Sequence, residues 1–203
     1  MLGEGRLRKF HTLLLLLLVF LSRAAWGVQV SPVSLAEAGE RVSLGEKMQI
    51  LEDPEGNWSL DQVRTHFASR FRNNDSSALN FGFTQSTIWL RFAVDASQAQ
   101  GSWFLVERYP ILDEITLFVP DGEGGFQEYA VGDTRAFSLR PMNHRSFVFA
   151  LETDSGEVTE YYIKIRGKGA LNMLPMLYSA KGLVEFTYLE KLLQGLFYGS
   201  LVI

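Results

Sequence analysis

The sequence predicts a mainly β protein: an antiparallel β-sandwich with one short N-terminal amphipathic helix and an apolar C-terminal helix. Three observations carry this. From Thr87 onward, apolar residues alternate in short runs divided by Gly, Asp, Asn and Pro clusters, which is the pattern of short strands and tight turns. Ahead of them, "SLDQVRTHFASRF" has helical spacing. Behind them, "AKGLVEFTYLEKLLQGLFYGSLVI" becomes helical again and carries no charge after Lys191.

The first element is a leader. Arg6, Arg8 and Lys9 precede nine consecutive apolar residues, Leu13–Leu21, and "SRAAWG" follows. A basic region, a short apolar region and small residues make a secretory signal peptide. Cleavage is expected after Gly27, with Ala24 as the second choice. The apolar run is too short for a membrane span, which needs about 20 residues. The chain has 203 residues and a net charge of −4. Residues 1–27 hold four Lys/Arg and one Glu, so their loss takes the charge to −7. An acidic exported domain is a poor partner for nucleic acid. No cysteine is present, so there are no disulfides, thiol nucleophiles or thiolate metal sites, and the fold rests on its core.

Residues 28–43 read as an extended leading segment. "KMQILED" is a short strand and "DPEGN" a turn cluster. Ser59 with Gln62 three residues on is a capping-box signature. Leu60, Val63, Phe67 and Phe71 then share one helical face, with Phe67 expected to be buried. His66 lies beside that face and reads as a core-edge or solvated histidine. "RNNDSSALNFGFTQS" reads as a polar loop. Strands follow in "TIWLRFAVD", "SWFLVER", "EITLFVP", "FQEYA", "RSFVFAL", "EYYIKIR" and "LNMLPMLYS". Seven or eight such strands indicate a sandwich occupying residues 44–180. Residues 181–203 form the last helix. Leu192–Ile203 is apolar all round and, at twelve residues, too short to span a bilayer.

Catalytic chemistry finds little support. Asp113 and Glu114 are adjacent at a strand start, so alternation sends them to opposite faces. A glycosidase pair must face one cleft, about 5–9 Å apart. Asp121 and Glu123 lie in a turn and read as solvated charges. Of the three histidines, His11 leaves with the leader, and His66 and His144 lack ligand spacing. No metal site, no cofactor site and no phosphate loop is expected. Binding fits better, because saccharide sites join aromatic faces to Arg, Asn and Asp. If Ile88, Leu90 and Phe92 face the core, Trp89 and Arg91 share the outer face. Trp103, Tyr109, Asp113, Arg140 and Arg145 would complete the candidate ligand site. The competing reading makes Trp89 and Trp103 core residues and pairs Arg91 with an acid such as Asp113.

Five stretches stand in an order that resembles a known family: "SLDQVRTHFASRF", "LNFGFTQSTIWLRFAVD", "RYPILDEITLFVPDGEGGF", "VGDTRAFSLRPMNHRSFVFAL" and "LEKLLQGLFYGSLVI". From about Leu44 to Ile203 the chain is similar to the type 2 extracellular domain of bacterial seven-transmembrane receptors with diverse intracellular signalling modules. The resemblance implies a jelly-roll sensor domain similar to carbohydrate-binding modules. It implies a periplasmic location, a small-molecule or saccharide ligand, and tethering to the inner membrane. In that family seven membrane helices and a cytoplasmic output module follow, so Leu192–Ile203 would begin the first membrane helix. Two readings of other classes stand beside this one. They are a small exported carbohydrate-active enzyme and a non-catalytic scaffold for protein contacts.

Overall fold

The structure, a computed structural model, describes residues 29–151 and 158–201. The expected signal peptide, residues 1–27, lies outside the described residues. In chain order the elements are β1 (Val33–Ser34), β2 (Arg41–Ser43), β3 (Gln49–Asp53), α1 (Leu60–Thr65), β4 (Arg72–Asn73), β5 (Leu79–Phe83) and β6 (Thr87–Asp95). Then come β7 (Trp103–Glu107), β8 (Glu114–Pro120), β9 (Phe126–Val131), β10 (Phe147–Leu151), β11 (Val158–Arg166), β12 (Ala170–Met173), β13 (Pro175–Ser179) and α2 (Ala180–Leu201).

The first sheet runs β4-β3-β6-β11-β8-β9, with β1 added in parallel beyond β3 on β6. The second runs β10-β7-β13-β2, and β12 and β5, far apart in the chain, form a separate two-stranded antiparallel sheet. All pairings except β1 with β6 are antiparallel. Alternation builds the core between the sheets. Ile88, Leu90, Phe92 and Val94 of β6 and Tyr161, Ile163 and Ile165 of β11 meet Trp103 and Leu105 of β7, Phe147 and Phe149 of β10, and Leu177 of β13. The fold is the mainly β antiparallel sandwich that the spacing predicts.

Four details differ from the sequence reading. The leading segment is not only a lead-in, because β1 joins the first sheet and β2 the second. The polar loop contains a strand, β5, whose Leu79 is buried while Asn80 and Phe83 are exposed. The run "LNMLPMLYS" is two strands of different pairs, divided at Leu174. Finally, α1 stops at Thr65. Ser59 does cap it, with its hydroxyl accepting the Gln62 N–H at 3.3 Å and the Gln62 side chain accepting the Ser59 N–H at 3.0 Å. Thr65 then turns its hydroxyl back to Asp61 O, and a 3₁₀ turn over Ala68–Arg70 takes over. Phe67 is therefore half-buried, while Val63 and Phe71 are the buried members of the stripe.

Both outer faces are covered as well. On the first sheet Leu51, Trp89, Phe118 and Tyr162 pack under Val63 and Phe71, flanked by Trp58, Leu60, Phe67 and Phe126. On the second sheet Val106, Val148 and Tyr178 pack under Leu183, flanked by Phe104, Met176 and Phe186. Hence β6 is buried on both sides and not half-buried as its alternation suggests.

The start of α2 is clamped to the strand system. The Ser179 N–H donates to Glu40 O and the Ser179 hydroxyl to the Glu40 carboxylate. Lys181 reaches the same carboxylate at 3.0 Å, and Ala180 N–H donates to Ser102 O at 3.0 Å. Gly182 lies so close to Glu40 O that any side chain there would collide with backbone.

Candidate functional site

The seven residues expected to bind ligand do not form one surface. Trp89 and Arg91 share the outer face of β6, as alternation predicts, but Trp89 is 1% exposed and Arg91 7%. The covering turn closes over them. Trp89 stacks on Phe118 with centroids 5.6 Å apart. Arg91 donates to the Gln49 side chain at 2.6 Å, lies over the Phe71 ring at 4.3 Å and pairs with Glu160 at 3.6 Å. The pairing of Arg91 with Asp113 is corrected accordingly: its acid is Glu160. Trp103 faces the central core and cannot offer its ring to a ligand.

Tyr109 is half-buried in the loop after β7, and its N–H donates to Glu107 at 2.8 Å. Arg140 binds the loop before β10 together. Its guanidinium donates to the carbonyls of His144 and Arg145 and sits between the Phe137 and Phe147 rings. Arg145 is exposed. Asp113 accepts the Lys168 N–H at 2.6 Å, while its carbonyl accepts from Thr134. It thus joins the β8–β11 end of the first sheet.

Several clefts are open among the described residues; one of about 300 Å³ is lined by Arg91, Ala68, Ala93, Val158 and Glu160, and two are near 600 Å³. The first, about 580 Å³, runs along the edge of β3 and is lined by Leu51, Glu52, Asp53, Glu55, Trp58, Arg70 and Arg72. Its geometry is set by Asp53, which is fully buried and whose carboxylate accepts the N–H groups of Gly56 at 2.8 Å and Trp58 at 2.9 Å. Gly56 has a φ of +70°, in the left-handed region, and a side chain there would meet Thr87. The turn is therefore fixed from beneath. Trp58 is held in place by stacking on Phe67, with centroids 3.9 Å apart, and Arg70 lies over that Phe67 ring at 4.9 Å. A half-buried indole, two guanidinium groups and the carboxylates of Glu52 and Glu55 thus line one concave edge, with the Asp53 carboxylate turned into the turn beneath.

The second cleft, about 600 Å³, is lined by Gln85, Asp113, Glu114, Thr134, Arg166, Gly167 and Lys168. It contains Asp113 but no aromatic ring. Its walls carry charged and polar groups of both kinds, and Glu114 and Arg166 are direct partners across β8 and β11.

Glu107 and His144 are both perturbed by burial. Glu107 is fully buried at the end of β7. Burial pushes its carboxyl up to about 7, against the opposing pull of N–H donors from Tyr109, Leu174 and Arg108. His144 is held below its ordinary value, mainly by burial, with Glu190 pulling the other way. Its Nδ1 accepts the Ser146 N–H, so its Nε2 side faces Thr187 and Glu190 of α2. Among the described residues no group of three or more His, Cys, Asp or Glu side chains is placed to hold a metal.

The described residues thus form a two-sheet antiparallel sandwich with concave polar edges and a helix leaving one end. The chain belongs to the family described as 7TMR-DISM extracellular 2, whose model matches residues 45–179. It is therefore an extracytoplasmic sensor domain of the receptor type. No curated protein matches the chain.

The sequence reading missed Trp58, Arg70 and Arg72. The available signal was a lone Trp between the "DPEGN" turn and the Ser59 cap, a position where a large ring has no strand to hide in.

Proposed function

We propose that the domain senses a small hydroxyl-rich ligand, a saccharide, in the β3-edge cleft, and that it does so by binding without turnover. The observation that carries this is the meeting of Trp58 with Arg70, Arg72, Glu52 and Glu55 around one cleft. An indole face covers the C–H face of a sugar ring, and guanidinium and carboxylate groups take its hydroxyls. The seven residues chosen from sequence contribute differently: Trp89 packs in the cluster that Trp58 flanks, Arg91 lines a separate small cleft with Glu160, and Asp113 belongs to the second cleft.

In this reading α2 is the tether. Among the described residues no helix is long and apolar enough to cross a membrane. What supports tethering is the run of exposed apolar residues in the distal half of α2, from Leu192 to Leu201, together with the receptor family. The docked half of α2 follows β13 without a loop, so a shift of the second sheet on binding would tilt or slide the helix. Calorimetry of the full chain in detergent against a glycan and metabolite panel tests the binding reading. A saccharide is expected to bind, and Trp58→Ala to weaken it about tenfold or more. Binding that survives Trp58→Ala and is lost in Asp113→Ala would move the site to the second cleft. Turnover of a glycoside would make the protein an enzyme, and capture of a protein partner alone would make it a scaffold.

A further inference from the structure

Away from α2, seven large apolar side chains are exposed among the described residues: Phe83, Ile111, Phe137, Leu139, Met142, Val158 and Leu174. Their distribution is uneven. Ile111 lies in the loop after β7, Phe137, Leu139 and Met142 in the loop after β9, and Leu174 between β12 and β13. Phe83 ends β5, opposite Ala170. All six belong to the end of the sandwich where β7, β9 and β11 finish and β8 and β10 begin. Only Val158 is at the other end, where β11 starts opposite Asp95.

The helix leaves by that same end. It starts beside Ser102 and Glu40 at the far end. It then crosses the second sheet, so that Phe186 stacks on Tyr178 and lies under Arg108, while Glu190 approaches His144 at 3.8 Å. Leu192–Leu201 therefore extends about 15 Å past the sandwich, with Leu192, Leu193, Leu196, Phe197, Tyr198 and Leu201 all exposed.

Charge follows the same asymmetry. The loops 54–59, 108–113, 132–146 and 167–174 at this end carry five Lys/Arg (Arg108, Arg135, Arg140, Arg145 and Lys168) against three acids, Glu55, Asp113 and Asp133. At the opposite end, the described loops 35–40, 96–102 and 121–125 carry no base and four acids, Glu37, Glu40, Asp121 and Glu123. The chain as a whole is at −4, so the basic end is a local feature. Exposed apolar tips among bases beside an apolar helix match the boundary of an anionic bilayer, where acyl chains and headgroup charge lie within a few ångströms of each other.

We infer that this end of the sandwich rests on the surface of an anionic lipid bilayer, with the loop tips at Ile111 and Phe137–Met142 entering the headgroup layer. The inference rests on the tether proposed above and adds a second contact to it. It fixes the domain's orientation: the second sheet and α2 stand upright on the membrane, and the second cleft and the Asp53–Trp58 end of the first both open near the lipid surface.

The test uses the full chain in vesicles of phosphatidylcholine and phosphatidylglycerol. The absence of cysteine allows single labels at Ile111→Cys, Leu139→Cys, Val158→Cys and Leu196→Cys. Labels at Ile111, Leu139 and Leu196 are expected to be quenched by spin-labelled lipid and the label at Val158 only by a water-soluble quencher. Arg145→Gln should lower the lipid-bound to free ratio at Leu139 about fivefold on anionic vesicles and leave it unchanged on neutral ones. Lipid quenching at Leu196 with only aqueous quenching at Leu139 and Ile111 would keep the tether and overturn the surface contact. Shielding of Leu139 from both quenchers would mean that protein covers it, and would also overturn the contact. Aqueous quenching at Leu196 would overturn the tether and the contact together.

Discussion

On the outer face of the first sheet, Leu51, Trp89, Phe118 and Tyr162 are closed over by residues 58–71, a segment that begins and ends within the domain. On the outer face of the second, Val106, Val148 and Tyr178 are closed over by Leu183 and Phe186 of a helix that continues past the sandwich. Both faces offer similar apolar strands, so the strands do not decide the difference. The covers do. The first is held by short-range turn chemistry: the Ser59 cap, the Asp53 carboxylate beneath the turn and the Trp58–Phe67 stack. The second is held at two latches, Glu40 with Ser179 and Lys181 at the start, and His144 with Thr187 and Glu190 farther on. A cover confined to the domain can shape a cleft. A cover that leaves the domain can carry a displacement out of it.

Substitutions can break this comparison from either side. The largest effect is expected under the first cover. Trp89→Ala removes the largest fully buried side chain of that face and should cost about 3–5 kcal/mol in urea unfolding. A cost near zero would mean that the first cover is loosely seated.

Glu107 gives the next effect, and it lies between the covers. Its carboxylate ties the loop after β7, through Tyr109, to Leu174 just ahead of β13. Its folded value of about 7 stands above the ordinary 4.5, so the folded chain holds this proton more tightly than the unfolded chain. The stabilisation is complete below about pH 4.5 and is lost as pH rises through about 7. The full shift corresponds to about 3 kcal/mol. The unfolding midpoint should therefore fall between about pH 5 and pH 8, and Glu107→Gln should flatten that fall. An unchanged profile would place the titration elsewhere.

Leu183→Ala should cost about 2 kcal/mol, less than Trp89→Ala, because Leu183 keeps 7% exposure at the rim of its cluster. It should also speed hydrogen exchange in the docked half of α2 while leaving residues 58–71 protected. Equal loosening of both covers would erase the distinction between them. The smallest effect is at Ser59, where Ser59→Ala should cost about 1 kcal/mol and loosen only the first cover.

The same comparison explains what could be read from sequence. Strand β6 was legible to its ends, because Ile88, Leu90, Phe92 and Val94 alternate with Trp89, Arg91 and Ala93, and Thr87, Ile88 and Val94 are β-branched. Its exposure was not legible. Alternation tells which side chains share a face, but the cover over Trp89 comes from residues 58–71, and no local pattern announces that contact. For β7 even the phase was ambiguous: Phe104 and Val106 are as apolar as Trp103 and Leu105, since this strand too is covered on both faces. Strand β5 was hidden because Asn80, Gly82 and the exposed Phe83 break the alternation of a strand that buries little. Trp58 was overlooked for the opposite reason. It sits outside any strand or helix, where periodicity carries no information, and its role follows only from the Asp53 turn that fixes it. The family motifs fared differently. "RYPILDE" and "RPMNHRSF" hold Tyr109, Asp113, Arg140 and His144, residues that knit loops to each other and to α2 and do not converge on one ligand site.

The central claim is that the half-buried Trp58, and neither Trp89 nor Trp103, meets the ligand. Tryptophan fluorescence tests it directly, by titrating the full chain and its Trp58→Phe variant with the saccharide that binds in calorimetry. The account predicts a saturable change in emission for the unaltered chain, and its disappearance in Trp58→Phe while the emission of the remaining indoles, Trp26, Trp89 and Trp103, persists. The same saturable change in the Trp58→Phe variant would place the ligand beside another indole and contradict the account.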